Sequence, residues 1–153
     1  NYKPQRTIKI MAFAAEEVGL RGSKEIATAY KSQGKNVIGM VQFDMTGNNG
    51  SSEDIVMMTD YTNRDQNEFI GRLLDEYLPT IKWGYDKCGY GCSDHASWHS
   101  AGFPASMPFE SKKNDMNGKI HTASDTIERS RGTADHAAKF AKMGVAFVVE
   151  LDQ

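Results

Sequence analysis

The sequence has 153 residues, with 18 basic and 20 acidic side chains, a formal net charge of -2 and 39% hydrophobic residues. That is enough chain for one domain with a real core, and without a Lys/Arg block it offers no electrostatic footprint for nucleic acid or an anionic membrane surface. No apolar stretch approaches the length of a membrane span, so neither nucleic acid nor membrane is an expected partner.

Taken in order, the apolar run Ile8 to Ala15 reads as a buried strand that breaks off at Glu16 and Glu17, with Gly19 and Gly22 turning the chain into a helix over residues 22–32. Val37 to Phe43 is nearly continuous apolar sequence, the pattern of a central parallel strand, and it stops at Asp44. Asn48 to Ser52 is a turn and Ile55 to Thr59 a strand. Thr62 to Asp65 offers a capping-box-like start for a helix with Phe69, Ile70, Leu73, Leu74 and Tyr77 on one face, stopped by Pro79. Ile81 to Tyr85 predicts a short strand, Ser93 caps a short helix through His99, and Ala105 to Phe109 is one more strand. Lys112 to Ser124 is a polar loop, and a last helix from Thr133 or Ala134 carries Phe140, Met143, Phe147, Val148 and Leu151 at helical spacing. His136 in its first turn reads as a surface residue. The alternation predicts an α/β domain, a mostly parallel mixed sheet flanked by helices.

The residues able to carry chemistry are Glu16, Glu17, Asp44 and His121. Acids at strand ends and a histidine in a later loop are how a metal site is assembled at one edge of a sheet, and imidazole with carboxylates suits zinc with an open position. Adjacent side chains near a strand end diverge, so one Glu can face a metal while the other faces a proton. The other reading stays open at this point. Glu16 and Glu17 can be a solvated rim at a helix start, and His121 a loop residue bonded to Thr122 and Asp125.

Five motifs together carry a resemblance: Ala-Ala-Glu16-Glu17-Val-Gly-Leu-Arg-Gly-Ser, Phe-Asp44-Met, Cys88-Gly-Tyr-Gly-Cys92-Ser-Asp-His95-Ala-Ser-Trp98, Met107-Pro-Phe-Glu-Ser111 and Ile-His121-Thr. In this order they resemble the secreted bacterial leucyl aminopeptidases with two zinc ions, a group of zinc-dependent exopeptidases. The resemblance implies a zinc-activated water with Glu16 as general base, Glu17 and His121 on one zinc, and Asp44 on the other. It implies a peptide substrate with a free N-terminus and an extracellular location. A pocket for a leucine-like first residue would be formed by Met45, Met58, Tyr90, Met107, Phe109 and Ile120, beside a Cys88–Cys92 disulfide. Lys113 and Met116 stand where that group leads one to expect aromatic residues.

Two features depart from the pattern. An upstream His and a bridging Asp, which complete the zinc ligands in that group, have no counterpart in the 15 residues before Glu16, where there is no His or Asp. The start at Asn1-Tyr2-Lys3-Pro4, without an initiator Met or a signal-peptide pattern, reads as a cut end. The expectation is therefore that residues 1–153 are the C-terminal part of a single catalytic domain, poorly active without a missing N-terminal half. A disulfide closing so short a loop is worth only about 2 kcal/mol on chain-entropy grounds and would shape the loop more than hold the fold. Cys88, Cys92, His95 and His99 also form a formal Cys2His2 set, with a Cys-to-His gap far shorter than a zinc finger uses. Two other functions fit parts of the pattern: a single-zinc glutaminyl cyclase, and a non-catalytic scaffold on a peptidase fold.

Overall fold

A computed structural model describes residues 2–153. Four helices, α1 (Arg21–Ser32), α2 (Arg64–Tyr77), α3 (His95–Ser100) and α4 (Asp135–Leu151), pack around five short strands, β1 (Met40–Val41), β2 (Ile55–Met58), β3 (Trp83–Asp86), β4 (Ala105–Ser106) and β5 (Pro108–Phe109). β1 and β4 pair in parallel as one small sheet. In the second, β2 lies between a parallel β3 and an antiparallel β5. The predicted α/β architecture with a mostly parallel mixed sheet is thus present, in two pieces. None of the described helices is long and apolar enough to cross a membrane.

β2 organises the packing because all four of its side chains are buried. Period-two alternation sends Ile55 and Met57 to one face, where they meet Ile70, Leu73 and Leu74 of α2 and Phe140, Met143 and Phe147 of α4. Val56 and Met58 point the other way, onto Met107 and Phe109. Burying a side chain of this size stabilises by about 1.5–3 kcal/mol, so the helix-facing cluster is the main hydrophobic term of the fold. Gly71 is required there, since a Cβ would stand 2.3 Å from the Trp83 ring. A third cluster joins Ala27 of α1, Trp98 of α3 and Ala105 of β4, with Met11, Phe13, Ile26 and Tyr30 against it.

The structure corrects the sequence expectations at several points. Residues 7–15 join no sheet: Met11 and Phe13 pack inward, while Ile10 is 99% exposed. Apolar alternation orders an extended chain against a core, but a strand also needs a backbone neighbour, and among the described residues this segment has none. For the same reason Val37 to Phe43 is not a central strand. Only Met40 and Val41 form a ladder, on one side, to Ala105 and Ser106. Ala105 to Phe109 splits at Met107, its first half serving one sheet and its second half the other. Asn63, not Thr62, caps α2 by accepting from the Gln66 N–H at 2.8 Å. Ser93 does not cap α3 with its side chain, and His136 is buried, with its Nε2–H donating to the Glu110 carbonyl at 3.1 Å.

Candidate metal and catalytic site

Glu16 and Glu17 sit in a single 3-10 turn, Glu16–Val18, and not at the end of a paired strand. The backbone holds that turn between Ala15 and Leu20, both in the left-handed region at φ 60° and 55°. Gly22 is needed next to it: its N–H donates to the Ala14 carbonyl at 3.0 Å, and a Cβ would lie 2.5 Å from that oxygen. Left-handed backbone also occurs at Met45, directly after Asp44, and at His121 itself. A non-glycine residue costs about 1–2 kcal/mol there, and such strain tends to gather at functional sites. Four of the six such residues among the described ones flank or carry the predicted site.

The turn brings Glu17 to His121, 104 residues away in sequence, with Glu17 Oε1 2.7 Å from His121 Nε2. Both side chains are exposed, so the contact contributes little to stability. Its value is geometric, since it places a carboxylate and an imidazole side by side. Partial burial, and then the carboxylates of Glu17, Asp44 and Asp94, push the Glu16 carboxyl above its ordinary range, with His121 pulling the other way. Glu16, Glu17, Asp44 and His121 therefore share one electrostatic neighbourhood. Asp44 Oδ2 accepts from the Ser93 hydroxyl at 2.7 Å.

In kind, this donor set fits zinc: imidazole nitrogen and carboxylate oxygen are its ordinary ligands. In number it falls short. Among the described residues no three His, Cys, Asp or Glu side chains converge as a ligand group, while a catalytic zinc uses three protein ligands.

The apolar residues predicted as a pocket are partly assembled. Met58, Met107 and Phe109 are buried in one cluster, with Met45, Met116, Cys88 and Cys92 packed against it. Cys88 and Cys92 are joined as a disulfide, which removes the Cys2His2 alternative. His95 is fully buried, its Nε2 3.2 Å from the Asp60 carbonyl, and His99 packs edge-on to Tyr61. The Gly89 N–H donates to the Asp60 carboxylate and tethers the disulfide loop. Tyr90, exposed, and Ile120, half-buried, are not among the residues packed against the cluster. An apolar groove of about 530 Å³ lies elsewhere, between α2 and α4, lined by Tyr77, Leu78, Val145 and Val149. It contains none of the predicted site residues.

Three supporting residues escaped the sequence reading. Ser93, whose position suggests a helix cap, instead gives its hydroxyl to Asp44. Asp94 is 3% exposed with Oδ1 unpartnered, and burial first, then Asp44, pushes its carboxyl up. Glu110, also 3% exposed, accepts from the Gly47 and Asn48 N–H groups with Oε2, at 3.1 and 2.8 Å, and from the Asn117 N–H with Oε1 at 3.0 Å. It ties the loop after Asp44 to the loop before His121.

Residues 1–145 match Peptidase family M28, and the chain belongs to that family. Leucine aminopeptidase 1 of Arthroderma gypseum is 40% identical over 157 residues, covering 97% of this chain and 41% of that protein. The crystal structure of the LapA aminopeptidase of Legionella pneumophila superimposes with a TM-score of 0.84 at 40% identity, over 92% of this chain and 38% of the other. A zinc aminopeptidase from Bacillus subtilis shares the fold, with a TM-score of 0.75 at 23% identity. The chain thus spans about two fifths of the length of the relatives it matches.

Proposed function

We propose that residues 1–153 form the C-terminal part of the catalytic domain of a secreted zinc aminopeptidase that hydrolyses the first peptide bond of peptides with leucine-like N-terminal residues. The observation that carries this reading is the approach of Glu17 to His121 at 2.7 Å, in the same neighbourhood as Glu16 and Asp44. Glu17 and His121 would hold one zinc ion and Asp44 a second. The remaining ligands would come from an N-terminal half, consistent with the length of the relatives and with the exposed Ile8, Ile10, Val18 and Phe43 around the unpaired segment and β1. Residues 1–153 alone would bind metal weakly and turn over little. Secretion is favoured by the disulfide, a bond suited to oxidising compartments.

Bound zinc supplies a Lewis acid and lowers the pKa of coordinated water. This chain's own residues supply the rest. Glu16 accepts a proton on its carboxylate as the scissile carbonyl is attacked and returns it to the leaving amine. Met58, Met107 and Phe109 would stand as the buried apolar wall behind the first side chain, and the disulfide fixes the loop that carries Tyr90. The test is hydrolysis of leucyl anilide by the full-length protein, with and without a zinc chelator. Chelator-sensitive turnover is expected; turnover that survives complete zinc removal, or none in the zinc-loaded protein, overturns the reading.

A further inference from the structure

Asp60, Tyr61, Gly89, His99 and Ser100 line an open cleft of about 370 Å³ that holds none of the residues placed in the metal site or the apolar cluster. The segment that supplies Asp60 and Tyr61 is pinned at both ends, the Thr59 N–H donating to the Asp86 carbonyl at 2.9 Å and the Asn63 N–H to the Ala105 carbonyl at 2.7 Å. Between these bonds Tyr61 sits in the left-handed region at φ 53°, where glycine would cost least, and yet it carries a bulky side chain that is 47% exposed. Burial does not explain a ring at that position, and backbone strain of this kind tends to gather at functional sites. The ring lies near Gly91 of the disulfide loop and edge-on to His99, with centroids 6.3 Å apart. The half-buried Asp60 carboxylate takes one backbone N–H, from Gly89, on Oδ2, and among the described residues no Lys, Arg or His side chain is in ion-pair contact with it. The cleft thus offers an uncompensated carboxylate next to an exposed aromatic ring, two groups that together suit a cation.

We infer that this cleft binds a basic side chain, arginine above all, carried by the peptide substrate downstream of the bond that is cut. The inference rests on the preceding reading, that the cut bond lies at the zinc that Asp44 would hold. The disulfide keeps the Cα atoms of Cys88 and Cys92 6.2 Å apart. Gly89 and Ser93 each lie one Cα step of about 3.8 Å from that pair, so they stand at most about 14 Å from each other. Ser93 donates to Asp44, and Gly89 lines the cleft. An extended peptide advances about 3.3–3.6 Å per residue, which puts the cleft in reach of a long side chain on the third, fourth or fifth residue. A guanidinium pairs with the Asp60 carboxylate and stacks on the Tyr61 ring at once, whereas a lysine ammonium has no plane to stack. The partial burial of Asp60 makes the attraction stronger than it would be in open water.

The experiment compares KM and kcat for leucyl-tetraalanine, and for the three peptides with arginine as the third, fourth or fifth residue, in the full-length protein and in its Asp60→Asn and Tyr61→Gly variants. For at least one position arginine should lower KM about fivefold with kcat unchanged, the mark of binding shared equally by substrate and transition state. Raising the salt concentration should shrink that gap. Asp60→Asn keeps an acceptor for the Gly89 N–H, and Tyr61→Gly relieves the left-handed strain, so both should fold and leave leucyl-tetraalanine turnover unchanged. In each the arginine preference should fall below about twofold. Leucyl-tetraalanine turnover with no arginine preference above about twofold at any of the three positions, or a preference that either variant retains, overturns the inference alone. No hydrolysis of any of the four peptides by the unaltered, zinc-loaded protein overturns the aminopeptidase reading and this inference with it.

Discussion

Replacing Glu110 by Gln changes little more than a charge and one acceptor, which makes it a sharp probe of how the site is held. The buried carboxylate takes three backbone N–H groups, from Gly47, Asn48 and Asn117. Hydrogen bonds to a charged acceptor contribute about 1.5–3 kcal/mol each, against about 0.5–1.5 for neutral ones. If the amide oxygen faces Gly47 and Asn48, those two bonds weaken by about 1 kcal/mol each. The amide NH2 then faces the Asn117 N–H, orphaning a donor at about 1–3 kcal/mol. The expected loss is about 3–5 kcal/mol, a large part of the 5–15 kcal/mol that holds a typical domain. Urea unfolding followed by circular dichroism measures it, with Glu110→Asp as the charge-retaining control. A Glu110→Gln loss below about 0.5 kcal/mol would refute the assignment of these three bonds.

Two further outcomes follow from the site and its surroundings. Burial holds the His95 imidazole down at about 4, against an ordinary 6.5, and lowers His136 in the same direction. A depressed histidine contributes stability that is present above its unfolded pKa and lost as pH falls through the folded one. Stability should therefore drop between pH 6.5 and about 4, by about 3 kcal/mol for His95. His95→Gln should flatten that part of the urea-midpoint profile, and an unchanged slope would contradict it. In the full-length protein His121→Ala should lower bound zinc by about one ion per molecule, read by elemental analysis, and unchanged stoichiometry would remove His121 from the ligand set.

How much of this was legible in the sequence depends on whether the controlling interaction is local. The faces of α2 and α4 could be read because Ile70, Leu73, Leu74, Phe140, Met143 and Phe147 repeat at helical spacing, and each is buried as expected. Residues 8–15 could not be placed, because an apolar run specifies burial and not a pairing partner. Met107 divides its strand for a similar reason: one run of apolar residues satisfies two sheets, and only the three-dimensional positions of β1 and β2 decide where it changes over. His136 reads as surface from sequence but is buried, because a histidine in a first helical turn can face either way until a carbonyl such as that of Glu110 meets it. Within the site, the Cys88–Cys92 bridge came from resemblance and is present. Spacing alone left Glu17 and His121 ambiguous, and the contact between them is a property of the fold. Glu110 and Asp94 were missed because their partners are distant backbone groups or carboxylates with no sequence signature.

The central claim is that Glu16 moves the proton while its neighbours hold the metal. The measurement that tests it most directly is leucyl anilide turnover by the full-length protein and its Glu16→Gln variant, with zinc content determined on the same samples. The account predicts a fall in kcat of about 10²–10⁴-fold, with zinc retained in full. Turnover that persists in the zinc-replete Glu16→Gln protein would contradict it.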